Sequence, residues 1–260
     1  MRVALAIHVK VKPVRGSTRP AFGFLPALAI NYLPLPLGGT SNHFRIDVLR
    51  RVGGWDPYNV TEDADIGIRL ARFGFYAKSF ASCTYEEANT DLGNWLQQRA
   101  RWMKGFLQSW LVHMRNPVIL FGEVGLTGFL VIQAMLIGVV LSATFYPLFI
   151  ALMALFLLNP YQIFPESNLA EAILRGMYLG FFVLGSGIMM LSGAIALNRK
   201  HYYGWWGTLL TMPIYWFLTG VAGWMALWQF IHAPFQWNKT RHGLSRFHTK
   251  DPNQTVLPTP

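Results

Sequence analysis

Over the first 116 residues apolar positions alternate with polar ones at helical spacing, whereas over residues 117–232 they run almost unbroken. In the first part, Phe44, Val48, Leu49 and Val52 fall on one face of a helix predicted over 43–52, which Gly53 and Gly54 stop. Ile66, Leu70 and Phe73 repeat the pattern after Thr61, whose hydroxyl is a suitable N-cap, and Gly74 ends that second helix. A third periodic stretch, 94–115, sets Trp95, Trp102, Phe106, Trp110 and Met114 at intervals of seven and four, with Arg99, Arg101, Lys104 and Arg115 around them. Pro117 closes it. Aromatic residues on one face and cations on the others predict a helix lying at a membrane surface.

The apolar part divides into three segments. Residues 125–158 hold no charge over 34 positions, more than the roughly 20 residues a spanning helix needs. Residues 176–197 form a second uncharged run of sufficient length. The third, 204–231, contains Trp205, Trp206, Trp216, Trp224 and Trp228 and is interrupted by Pro213. Tryptophan prefers the headgroup region, so this segment is predicted to be interfacial or re-entrant.

Charge then orients the segments. Residues 1–116 carry 15 Lys/Arg and 8 Asp/Glu, 117–232 carry three of each, and 233–260 carry Lys239, Arg241, Arg246 and Lys250 against Asp251. Loop 159–170 lacks Lys and Arg, and loop 198–203 holds Arg199 and Lys200. Cations accumulate on the cytoplasmic side, which predicts a multi-pass protein with both ends cytoplasmic and two crossings. The competing arrangement splits 125–158 into a hairpin near Pro147 and makes the third segment span, giving four crossings.

Composition excludes other classes. With 53% hydrophobic residues the chain has ample surface to bury, which rules out disorder, and 13% charged residues is about half the roughly 25% of ordinary soluble domains. Cys83 is alone, which excludes a disulfide scaffold. The net charge of +10 sits in two flanks rather than on one basic face, so nucleic acid is not the expected partner. The apolar run 3–7 is too short for a signal peptide, and the Asn-x-Thr triplets at Asn59, Asn238 and Asn253 fall in segments expected in the cytosol.

Candidate chemistry lies in the polar front. Gly38, Gly39, Thr40, Ser41 and Asn42 make a turn that either caps a helix or lets a polar ligand approach backbone closely. Glu62, Asp63 and Asp65 complement the dipole of the helix they begin, and any of them could be a general base; the residues alone do not choose. Gln98, Arg101 and Trp102, at i, i+3 and i+4, bring an amide, a cation and an aromatic plane onto one patch suited to a sugar and a phosphate. The same helix also reads as a lipid-facing element whose cations meet anionic headgroups.

Taken together, LGGTSNHFR at 37–45, VTEDADIGIRLARFGF at 60–75 and QQRARWMKGFLQSWLVHMRNP at 97–117, followed by apolar helices, resemble the second half of a processive membrane glycosyltransferase of family 2, similar to cellulose synthase and other bacterial β-glucan synthases. The resemblance covers about residues 31–245. It implies an α/β, partly GT-A-like domain, then an all-α membrane region with two spanning helices and interfacial helices. The expected division is an unmatched stretch 1–30, the C-terminal half of the transferase domain with its interfacial helix at 31–116, a membrane region at 117–232 and a basic cytoplasmic tail at 233–260.

By the same resemblance Asp63 is the general base of an inverting transfer of a hexose, glucose from UDP-glucose, to a growing β-glucan. Gly39, Thr40, Ser41, Asn42, Glu62, Gln98, Arg101 and Trp102 border the acceptor and donor, and Trp237, Lys239 and Thr240 belong to a segment like the one that closes over the nucleotide. The implied partners are a nucleotide sugar, a glucan acceptor and the lipid bilayer, in a bacterial inner membrane. The family uses a divalent metal, Mg or Mn, held by acids of the first half. Residues 1–30 contain no Asp or Glu, so the chain is expected to be a truncated, split or frameshifted product that lacks those ligands, to be inactive alone, and, if split, to have a separately encoded N-terminal half as a partner. The rival reading is a non-catalytic remnant or scaffold subunit that binds glycan or lipid.

Overall fold

A computed structural model describes residues 4–10, 24–39, 42–82, 91–158, 169–199 and 205–234. It is mostly helical. Among the described residues the sheet is one parallel pair, β1 (Ala4–Lys10) with β2 (Tyr76–Ser82), in register from Ala4 opposite Tyr76 to Lys10 opposite Ser82. An α/β fold is therefore not evident, and residues expected to be an unmatched leader supply one of the two strands.

Three short helices fill the front: α1 (Phe24–Ile30), α2 (Ile46–Arg51) and α3 (Glu62–Arg72). The predicted helix over 43–52 is shorter than its apolar spacing suggested and begins after Arg45, yet its pattern is used as read. Val48 and Val52 are buried with Leu28, Leu35, Leu37, Ile66, Leu70 and Ala77, and Phe44 and Leu49 pack on that core. Each such side chain taken fully from water contributes on the order of 1.5–3 kcal/mol. Gly74 ends α3 in the left-handed region, as expected. Thr61 precedes α3 but its hydroxyl caps no helical N–H.

Helix α4 (Leu92–His113) starts at Asp91, whose carboxylate accepts the Asn94 N–H at 2.7 Å. Its aromatic stripe does not simply face outward. Phe106, Trp110 and Met114 pack on Leu120, Ile132 and Leu136, and the Trp110 indole donates to Gln133 at 2.7 Å. The stripe that read as a lipid-facing surface is a seam between the front and the apolar helices.

Those helices are α5 (Pro117–Gln133), a π-helical turn at Ala134–Gly138, α6 (Val139–Leu158), α7 (Leu169–Arg199), a short α8 (Trp205–Leu210) and α9 (Met212–His232). The chain turns sharply at Gly125, whose φ of 69° and ψ of 176° only glycine adopts readily. Pro147 lies inside α6 without making a hairpin.

Among the described residues two stretches, Pro117–Leu155 and Met212–His232, are long and apolar enough to cross a membrane. About 22% of each apolar window is buried, where the core helix of a soluble protein is mostly buried. The segment expected to be interfacial thus contains one of the two. Pro213 sits in the first turn of α9, where a missing N–H costs nothing, and does not interrupt it. The second expected span falls in α7, whose apolar run Leu179–Ile195 is shorter.

Helix α9 runs antiparallel to α6: Gly220 meets Pro147 and Ala143, and Gly223 meets Thr144. Small residues let the two backbones approach, as at other helix contacts in membranes.

Candidate active site

The first turn of α3 lies between the Gly38–Gly39 turn and α4. A Cβ placed on Gly39 would stand 3.2 Å from Asp63 Oδ2. Asp63 Oδ1 accepts the Ala64 N–H at 2.8 Å, which aims the carboxyl back across its own helix end. Burial raises the Asp63 pKa above the usual carboxylate value; the Glu62 charge adds to this, while the Ala64 hydrogen bond and the Arg101 charge oppose it. Burial likewise pulls Arg101 below its ordinary value, against the charges of Glu62 and Asp63. Asp63 and Arg101 are thus both partly desolvated and each acts on the other's charge.

The structure therefore brings together Gly39, Glu62, Asp63 and Arg101. Asn42 folds its side-chain amide back onto the Gly38 carbonyl, and its buried Oδ1 has no partner among the described residues. Gln98 is half-buried one turn before Arg101 and Trp102. Trp102 is exposed, and the Arg99 guanidinium lies 4.5 Å over its ring and 5.3 Å from that of Trp95. Arg99 thus stacks between two tryptophans of its own helix, a contact that spacing could have shown, since 95, 99 and 102 share a face. Thr40, Ser41, Trp237, Lys239 and Thr240 lie outside the described residues.

Asp65, open as a candidate base from sequence, is committed elsewhere. It is buried and accepts Arg69 Nε at 2.7 Å and His113 Nε2 at 3.0 Å. Arg72 Nη1 lies 3.0 Å from His113 Nδ1. An arginine only donates, so Nδ1 accepts and the ring proton sits on Nε2, toward Asp65. Its burial would raise the Asp65 pKa, but the hydrogen bonds from His113 and Arg69 and the Arg69 charge outweigh it and leave the pKa lowered. Arg72 also pairs with Glu123 of α5 at 2.6 Å.

Other residues that the sequence reading passed over hold α4 in place. Buried Ser109 accepts the Asn59 amide at 2.8 Å. The Gln108 carboxamide accepts the Val60 N–H at 3.5 Å and donates to the Pro234 carbonyl at 2.7 Å. Lys104, 1% exposed, donates to the Ala233 carbonyl at 3.2 Å, and burial lowers its pKa. The end of α9 is thereby fastened beside the segment that enters α3. The signal for these contacts was a row of small and polar residues on an otherwise aromatic helix.

Among the described residues no three His, Cys, Asp or Glu side chains converge. Glu62 and Asp63 share the field of the Arg101 cation, and two carboxylates beside a cation do not by themselves fit a divalent metal.

A protein-family model described as glycosyl transferase family group 2 matches residues 22–165. The probable glycosyltransferase YdaM of Bacillus subtilis (strain 168) is 32% identical over 68 residues, which are 26% of this chain and 16% of that protein. The aligned stretch is thus a small part of that curated relative. No solved structure matches.

Proposed function

The chain belongs to the glycosyl transferase family group 2, and on that premise we propose that it transfers glucose from UDP-glucose, with inversion, to the end of a growing β-glucan and helps move the polymer across a membrane. The observation that carries this reading is the juxtaposition of Gly39, Glu62, Asp63 and Arg101.

Asp63, as the general base, takes the proton of the acceptor hydroxyl as its oxygen attacks the anomeric carbon. The bond to the diphosphate breaks on the opposite face, which inverts the centre. The positive charge of Arg101 counters the negative charge that grows on the leaving diphosphate. The narrow approach at Gly39 leaves room for a sugar hydroxyl against backbone, and the exposed plane of Trp102 suits a sugar face.

Residues 31–116 then form the acceptor half of the transferase domain, and 117–232 form the membrane module. The bonds from Lys104 and Gln108 to the end of α9 set the start of the 233–260 tail on the same side as Asp63. A shared side for front and tail agrees with the reading of a bacterial inner-membrane protein whose two ends are cytoplasmic, with α6 and α9 as the crossing pair.

The chain alone is expected to transfer nothing, so the test is transfer of labelled glucose from UDP-glucose to β-glucan by host membranes in which the chain is complemented with an N-terminal donor-binding half, and every transfer measurement below refers to that complemented state. Asp63→Asn is expected to lower it by about 10²–10⁴-fold, the usual contribution of a positioned base. Equal transfer by the Asn variant would refute the assignment. Polymer binding that Trp102→Ala weakens, in complemented membranes where the wild-type chain still transfers nothing, would favour a non-catalytic glycan-binding subunit.

A further inference from the structure

Four residues of α4 that face the 59–65 segment follow one another at intervals of four. Arg101 interacts electrostatically with Glu62 and Asp63, Gly105 abuts the Thr61 side chain, Ser109 bonds Asn59, and His113 bonds Asp65. Residues four apart form one of the ridges by which helices pack. An apolar ridge is held by shape and can be displaced by one turn, about 5.4 Å. This ridge carries no large apolar side chain, and a one-turn slip would take from buried Asp65 the His113 donor and leave it Arg69 of its own helix. His113 is itself braced, because Arg72 donates to its Nδ1 and is paired in turn with Glu123 of α5.

We infer that the Asp65–His113 hydrogen bond is a register lock between α3 and α4, and that it positions Arg101 beside Asp63. His113 lies twelve residues from Arg101 along α4, about 18 Å at the helical rise. It acts through the helix and is a positioning residue. The inference rests on the reading above only in naming Asp63 and Arg101 as the working pair.

The test is a ¹³C NMR titration of the Asp63 carboxyl in the full chain, labelled at aspartate and held in detergent micelles. Arg101→Gln supplies the reference, since the Arg101 charge holds the Asp63 midpoint down. His113→Leu keeps bulk and loses the donor. It is expected to raise the midpoint toward that of Arg101→Gln, and to add nothing when the two are combined. His113→Gln, whose amide can still donate to Asp65, is expected to restore the wild-type midpoint. An unchanged midpoint in folded His113→Leu overturns the lock, and so does a full further shift in the double variant. Should His113→Leu not fold, Ser109→Ala removes another bond of the same ridge; a smaller upward shift is expected, and an unchanged midpoint overturns the lock equally. The titration reads geometry rather than turnover, so failure of Asp63→Asn to stop transfer would sink the proposed function without touching this result.

Discussion

Gly39 and Asp63 stand so close that a methyl group on Gly39 would meet the carboxylate Oδ2 at 3.2 Å. Either the turn or the carboxyl must give by a few tenths of an ångström to admit a side chain there. Small displacements of a catalytic group are costly, up to about a hundredfold for 1 Å. Gly39→Ala is therefore expected to lower glucosyl transfer by about tenfold, while the exposed turn keeps the unfolding midpoint within about 0.5 kcal/mol of wild type. A transfer assay beside thermal unfolding in micelles checks both. Full activity in Gly39→Ala would mean that the turn does not crowd the base.

The charges around Asp63 predict the pH dependence. A general base works only when ionised, so activity is present above its folded pKa and lost as pH falls through it. Burial, with Glu62 adding to it, raises that pKa above the ordinary carboxylate value, so the acid limb of the transfer profile is expected above the usual aspartate range. The two neighbours then act in opposite directions. Glu62→Gln removes a like charge and moves the limb down; Arg101→Gln removes an opposite charge and moves it up. Profiles of kcat/KM against pH for the three proteins decide this, and shifts of the same sign in both variants would be incompatible with the arrangement.

Much of this site was legible in the residues. Thr61, Glu62 and Asp63 at a helix start and Arg101 one turn after Gln98 were singled out by spacing and chemistry, because a helix fixes its neighbours locally. What spacing could not show was the partner of each face. The stripe of Phe106, Trp110 and Met114 looks identical whether it meets lipid or Leu120 and Leu136, since both environments are apolar. Pro213 reads as a helix breaker unless it falls in the first turn, and only the start of α9 at Met212 decides that. The role of Asp65 depended on His113, 48 residues away, and no local pattern carries a contact of that separation.

Asp65 also predicts how stability depends on pH. Its folded pKa is depressed, so the stability it contributes is fully present above the unfolded value of roughly 3.9 and is lost as pH falls through the lower, folded pKa. Asp65→Asn keeps an acceptor but loses the charge that Arg69 and His113 meet, and is expected to cost about 1–3 kcal/mol near neutrality. Denaturant midpoints of the two proteins should differ by a constant amount down to about pH 4 and converge below it. A gap that widens on acidification would show that the carboxylate is not the group stabilised in the fold.

Two glycines of the apolar helices, Gly220 in the contact between α6 and α9 and Gly185 in α7, are expected to respond to alanine with opposite signs. A Cβ on Gly220 would lie 2.3 Å from Pro147 Cγ and 2.9 Å from the Ala143 carbonyl oxygen, and a proline ring cannot swing aside as a flexible chain end can. Gly220→Ala must separate the helices, at about 1–3 kcal/mol for overpacking. Gly185, within α7, has nothing within 4 Å of a Cβ built on it. There alanine relieves the entropy that glycine loses in a helix, a gain of about 0.5–1 kcal/mol. Unfolding in mixed micelles is thus expected to show Gly220→Ala destabilised and Gly185→Ala slightly stabilised. The loss at Gly220 should also reach the site, because α9 ends on the carbonyls that Lys104 and Gln108 of α4 hold. Transfer that is unaffected in a destabilised Gly220→Ala protein would show that the contact between α6 and α9 is not coupled to the Asp63 site.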